Sequence, residues 1–178
     1  GGSANDTIST SGTGVSAITG GAGDDVINLG STGVDTVTFA ATAAANGRDT
    51  ITGFEAGAGK DVLSSTTFVA KGGALQSNDA ALGDITVGGA NTHGVLFNVA
   101  GGVLTADKVV AAGTGANGEV VIGATQKAVV LVTAAATAAT GGAYNMYYVT
   151  SDAANNHTVE LVGTVTTDAV ALDIGNFA

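Results

Sequence analysis

The 178-residue chain contains no cysteine, no proline and no tryptophan. Without cysteine neither a disulfide framework nor a thiolate-ligated zinc site can form, so an extracellular role needs another staple. Charge is scarce too: five Lys and Arg stand against fifteen Asp and Glu, for a formal net charge of -10. That sign repels nucleic acid and anionic membranes and attracts metal cations. Long apolar runs are also missing. Ala128 to Val132 and the alanine- and threonine-rich run beyond it fall far short of the roughly 20 apolar residues of a membrane helix, so no membrane span is expected. The chain opens on Gly-Gly-Ser without a charged-then-apolar leader, and it reads as the C-terminal piece of something longer.

Glycine, by contrast, is abundant, at 29 residues, and 45% hydrophobic residues suffice to bury a core. The glycines keep a phase. Gly20-Gly21-Ala22-Gly23-Asp24-Asp25-Val26-Ile27-Asn28 matches at every defined position the nonapeptide Gly-Gly-x-Gly-x-Asp-x-U-x, with U aliphatic, that marks a calcium-binding parallel β-roll. Degenerate copies flank it at residues 1–9, 11–19 and 30–38, and again, after an insertion, at 46–52 and 56–64. Ordinary turns between antiparallel strands would not hold a nine-residue phase.

Each unit divides into a glycine-rich turn and a three-residue strand whose aliphatic residue points inward. Ile8, Ile18, Ile27, Val37, Ile51 and Leu63 should therefore stack into a thin core. Two units complete one coil, so turns on one edge belong to alternate copies. Asp6, Asp25 and Asp49 then line one edge, and Asp35 and Asp61 the other, where Ser16 replaces an aspartate. Stacked carboxylates demand a compensating cation, and oxygen ligands suit calcium. Carbonyl oxygens of Gly1, Ser3, Gly20, Ala22 and Gly23 complete the expected ligand set. Spacing favours the Asp6–Asp25 pair, predicts a weak or missing site between Ser16 and Asp35, and requires part of Phe39 to Ala43 to loop out between Asp25 and Asp49.

These features resemble the RTX (repeats-in-toxin) proteins that bacteria export by type I secretion. The marks are the perfect repeat at residues 20–28, the exit segment Asp49-Thr50-Ile51-Thr52-Gly53-Phe54, and Lys60-Asp61-Val62-Leu63-Ser64. Gly53 departs from the family by standing where aspartate is common. The tail, with Tyr147-Tyr148-Val149-Thr150-Ser151-Asp152, Thr158 to Gly163 and a closing Ile174-Gly175-Asn176-Phe177-Ala178, is similar to family C-termini that serve as uncleaved export signals. Low charge with much alanine, threonine, glycine and valine resembles most the surface-layer proteins of the Caulobacter type. The resemblance implies a secreted cell-surface location, an ABC transporter as export partner, calcium as the bound ion and self-association into a lattice. Its alternatives are the secretion and folding domain of an exported protease or lipase, or an adhesin or ice-binding surface with threonine rows around Thr36, Thr38, Thr50 and Thr52.

Beyond residue 64, β-rich runs at residues 66–70, 84–87, 94–100, 119–122, 128–133, 144–150 and 158–162 alternate with glycine- and asparagine-rich breaks. The expected fold is all-β: a parallel β-roll over residues 1–64 continuing into a β-sandwich-like region over 65–178 that includes the secretion signal. Thr105 would cap a short helix over Ala106 to Ala112, a strand there being nearly as compatible, and Ala134 to Ala143 reads as a loop. No catalytic constellation is present: His93 and His157 stand outside any metalloprotease or hydrolase motif, so no enzyme is expected. Tyr144, Tyr147 and Tyr148 read as strand packing rather than a binding patch.

Overall fold

Glycine turns every nine or so residues leave room only for three-residue strands, and such strands open the fold. The computed structural model describes residues 1–30, 32–69, 76–77, 85–86, 92–98, 103–111, 120–133, 142–168, 170 and 172–178. Strands β1 (Thr7–Ser9), β2 (Ala17–Thr19), β3 (Val26–Asn28) and β4 (Thr36–Thr38) lead to a single helical turn, α1 (Ala43–Asn46), then β5 (Asp49–Phe54) and β6 (Val62–Ser64). Odd and even strands separate into two parallel ladders, β1-β3-β5 and β2-β4-β6.

The register follows the nine-residue phase. Ile8 pairs with Ile27 and Ile27 with Ile51, while Ile18 pairs with Val37 and Val37 with Leu63. These aliphatic rows meet in one core cluster with Leu29, Phe39 and Phe54, where Ile27, Ile51 and Leu63 are completely buried. At about 1.5–3 kcal/mol for each fully buried aliphatic side chain, these rows alone are a modest return for ordering so many glycines, and the same cluster continues through Val129, Leu131, Met146 and Val165. The insertion between Asp25 and Asp49 leaves the ladder after Phe39, inside the segment the spacing pointed to. Phe39 extends β4, donating its N–H to Ser64 O, and the excursion becomes α1, capped by Thr42.

Glycine is required where one turn rests on the next. Gly23 and Gly47 have φ of 108° and 79°. A Cβ on Gly47 would collide with Gly23 O, and one on Gly23 would press on Ala4. Neither the backbone angle nor the space admits another residue.

The remaining strands are β7 (Gln76–Ser77), β8 (Ile85–Thr86), β9 (Thr92–Asn98), β10 (Val109–Ala111), β11 (Val120–Ile122), β12 (Lys127–Thr133), β13 (Ala143–Ser151) and β14 (His157–Thr167). The fold is all-β, with mixed sheets. An eight-stranded sheet runs β1-β3-β5-β14-β13-β12-β9-β7, so the odd ladder continues without a break into the C-terminal strands through parallel pairing of β5 with β14. A separate three-stranded sheet holds β10-β11-β8. The even ladder is closed by the chain's end: Phe177 bridges Leu63, and Ser65 N–H and Ala178 N–H bond to Ala178 O and Leu63 O at 2.9 and 3.1 Å. Open strand edges invite foreign pairing, and here both ladders are covered on one side by the chain itself.

Several local expectations change. Thr66 to Val69 forms a turn instead of a strand, with Phe68 and Val69 N–H both donating to Ser65 O, and residue 70 lies outside the described residues. The expected helix after Thr105 is only a 3-10 turn, Ala106–Lys108, to which Thr105 gives no side-chain cap, and β10 follows it. Most of the loop read at 134–143 lies outside the described residues, and its last residue, Ala143, opens β13. The three tyrosines are buried as strand packing, Tyr144 and Tyr148 in one cluster and Tyr147 in the other. Tyr148 stacks on Phe68 and donates its hydroxyl to Ala40 O, tying the insertion to β13. Among the described residues no helix is long and apolar enough to cross a membrane.

Candidate cation site in the stacked turns

The in-register strands force the turns before them into stacks, and the aspartates follow. Each predicted aspartate sits immediately before its strand or at its start. Asp6 N–H donates to Asp25 Oδ1 at 2.8 Å, and Asp25 N–H donates to Asp49 Oδ1 at 3.2 Å. On the other edge Ser16 N–H donates to Asp35 Oδ1 and Asp35 N–H to Asp61 Oδ1, both at 2.8 Å. Every coil thus hands an amide to the carboxylate of the next. The structure brings together Asp6, Asp25 and Asp49 on one edge and Asp35 and Asp61 on the other.

The carboxylates are deep for charged groups: Asp25, Asp35, Asp49 and Asp61 are 1%, 0%, 3% and 1% exposed. Burial, reinforced by the charges of Asp25 and Asp24, pushes the Asp49 carboxyl up to about 6, against the pull of its bonds from Asp25 N–H and Asn46. Burial likewise raises Asp61, with Asp35 and Glu55 adding repulsion. The stacks are therefore short of positive charge.

What differs along the stacks is the second carboxylate oxygen. Asp6 Oδ2 accepts Gly2 N–H at 2.9 Å, Asp49 Oδ2 accepts Asn46 Nδ2 at 3.0 Å, and Asp61 Oδ2 accepts Glu55 N–H at 2.9 Å. Asp35 Oδ2 takes the Thr10 hydroxyl at 3.2 Å. Among the described residues Asp25 Oδ2 is buried without a hydrogen-bond partner. It lies against Gly20, where an added Cβ would collide with it, and a Cβ on Gly1 would collide with both Asp6 Oδ2 and Gly20 O. Carboxylate and carbonyl oxygens thus crowd around two glycines at the first pair of turns on this edge.

The other predicted carbonyl donors occupy the same stacked turns. Ala22 N–H bonds to Gly2 O, Gly23 rests on Ala4, and Ser3 is exposed in the first turn. Among the described residues no three acidic or histidine side chains form a ready-made metal cluster. A site here would draw on backbone carbonyls with one or two carboxylates, a donor set that fits a hard cation such as calcium. Residues 1–6 and 20–25 would hold it.

The chain matches no family model, no curated protein and no solved structure.

Sequence reasoning passed over three features. A second side-chain ladder runs in the opposite sense one position earlier, with Asp24 N–H donating to Asn5 Oδ1 and Arg48 N–H to Asp24 Oδ1, both at 2.9 Å. The other two are buried asparagines that finish the stacks. Asn46 meets Asp49, and Asn176 donates to Gly57 O and Asp61 O while accepting Gly57 N–H and Asp173 N–H. The repeat phase carries a signal for the Asn5 ladder, whose members all precede the aspartate slot. Asn176 has no such signal, because Gly57 and Asp61, the partners it latches, lie more than a hundred residues away. A cleft of about 390 Å³ beside α1 is lined by Asp24, Gly47, Arg48 and Glu160 among others, without Asp25 or Asp49 in its lining. His93 lies in a strand whose side chains are outside the described residues, and His157 is half-buried at the β13–β14 hairpin.

Proposed function

We propose that this chain is a non-catalytic, calcium-gated folding module of a type I-secreted bacterial cell-surface protein of the RTX kind, most in keeping with a surface-layer protein. In this reading the two parallel ladders are a β-roll, residues 1–64, and the strands of 65–178 are a sandwich-like C-terminal domain that carries the export signal. The observation that carries it is Asp25 Oδ2: a buried carboxylate oxygen without a partner, in a stack of three acids, beside crowded carbonyl oxygens. A carboxylate is not left in that state without cost, and a calcium ion bound to Asp25, Asp6 and the Gly1 and Gly20 carbonyls removes it.

The physical scheme follows from linkage. Without calcium the acid stacks repel, and the thin core does not offset the ordering of the glycine turns, so the chain stays extended and exportable. Outside the cell, calcium at about a hundred times a site's Kd contributes roughly 2.7 kcal/mol per site, enough to move a marginal fold to mostly folded. Extracellular modules are tuned to about 10⁻⁴ to 10⁻³ M, so cytosolic calcium leaves the chain unfolded. The same ions would assist association of copies into a lattice.

Circular dichroism during a calcium titration, with a chelator control, tests the reading. A cooperative gain of β signal with calcium is expected. Identical spectra with and without calcium, paired with no heat of binding in calorimetry, would overturn it.

A further inference from the structure

Asn46, like Asn176, makes four side-chain hydrogen bonds at the end of a stack. It is 2% exposed, its Nδ2 donates to Asp49 Oδ2, Val162 O and Gly47 O at 3.0, 3.2 and 3.3 Å, and its Oδ1 accepts Ala40 N–H at 3.0 Å. One carboxamide thus closes the insertion, ends an aspartate stack and docks β14. Its neighbour is equally constrained: Gly47 has φ of 79°, and no Cβ fits beneath Gly23 O. The fold therefore demands asparagine followed by glycine, the pair in which a backbone nitrogen most easily reaches a side-chain amide, since glycine puts no side chain in its way.

We propose that Asn46–Gly47 is a self-modification site guarded by folding. In the unfolded chain the Gly47 nitrogen, having lost its proton, bonds to Asn46 Cγ. The Cγ–Nδ2 bond breaks and ammonia leaves, giving a succinimide. Water then opens the ring at either carbonyl, to aspartate or isoaspartate. Overall, one water is consumed and one ammonia released. In the folded chain the reaction is opposed two ways: the carboxamide is held by its four bonds, and Gly47 N–H is donated to Ala43 O at 2.8 Å.

The product does not refold. Aspartate at this position cannot donate to Asp49 Oδ2 or Val162 O, and it sets a second carboxylate beside Asp49. Isoaspartate also lengthens the backbone between α1 and β5 and shifts the strand out of register. A chain left unfolded too long thus withdraws itself from the folding pool.

The test incubates the full chain at mildly alkaline pH in calcium buffer, in chelator and in guanidinium chloride, and follows deamidation at Asn46 by fragmentation mass spectrometry. Asn117–Gly118, the chain's other Asn-Gly pair, serves as an internal clock in denaturant. Asn46 should react in denaturant alongside Asn117 and be slowed at least about tenfold in calcium, the protection expected of a site that reacts only through opening. Equal Asn46 rates in calcium and denaturant would overturn the proposal. After return to calcium, the protease-resistant fraction should be depleted of modified Asn46 at least about tenfold; a resistant fraction carrying it in full would also overturn the proposal. Nothing here rests on the calcium reading. If chelator protects Asn46 as well as calcium does while denaturant exposes it, the calcium reading fails and this one stands.

Discussion

Replacing Asp25 by asparagine should change stability in opposite directions with and without calcium. The substitution is nearly isosteric and keeps Oδ1, so the 2.8 Å bond from Asp6 N–H survives. It removes a charge that adds to the burial raising Asp49, and with it the buried Oδ2 that lacks a hydrogen-bond partner among the described residues. Leaving a charged oxygen buried and unpaired costs about 1–3 kcal/mol, so in chelator Asp25→Asn should stabilise whatever fold persists by about that amount. In calcium the variant loses an anionic ligand and with it up to about 2.7 kcal/mol of linkage at a hundredfold excess over Kd. Urea unfolding in calcium, with m held as the check that the same surface is exposed, and the folded fraction by circular dichroism in chelator measure the two effects. A variant destabilised equally in calcium and chelator would show that Asp25 serves only as the acceptor for Asp6 and would refute the cation argument.

Four further outcomes follow from the same structure. Ile27→Ala, at a completely buried position of the odd ladder, should cost about 2–5 kcal/mol in calcium buffer, read as a shift of the urea midpoint without change in m. Gly47→Ala should prevent native folding, because its Cβ meets Gly23 O at a φ of 79°; a normal dichroism spectrum in calcium would contradict the stacking. Asn176→Ala should unlatch the chain's end from the last coil, orphaning Gly57 N–H and costing about 1–3 kcal/mol, with faster proteolysis or amide exchange near Phe177 as readout. In chelator, stability should rise as pH falls from about 6 toward 4. Asp49's folded carboxyl, raised from 3.8 to about 6, binds its proton more tightly than the unfolded one, so the ionised-form penalty is complete above 6 and relieved below. Subtracting an Asp49→Asn control isolates this share, up to about 3 kcal/mol.

How much was legible differs between the two parts of the chain. Over residues 1–64 the repeat phase alone yields strand positions, parity and register, because a short-period stack repeats one local unit whose inward aliphatic and edge aspartate recur at fixed offsets. The site residues on each edge follow from the same count. What the count misses is the fate of the second carboxylate oxygens. Asp49 and Asp61 look equivalent to Asp25 in sequence, yet their Oδ2 atoms are taken by Asn46 and by Glu55 N–H, and only Asp25 is left. Beyond residue 64, alternation located β11, β12 and β13 closely but took the turn at Thr66–Val69 for a strand, since apolar and β-branched residues suit both.

The sequence by itself determined the all-β character, the coil phase, the placement of the aspartates and the impossibility of disulfide or thiolate chemistry, because each depends on residue type and short-range spacing. Only the tertiary structure decided that β14 joins β5, that Phe177 and Ala178 close the even ladder, and that Asn46 and Asn176 finish the two aspartate stacks. Those pairings bring together residues up to 119 apart in the chain. No local period encodes them; they arise because open strand edges and buried polar atoms must find partners wherever the folded chain provides them.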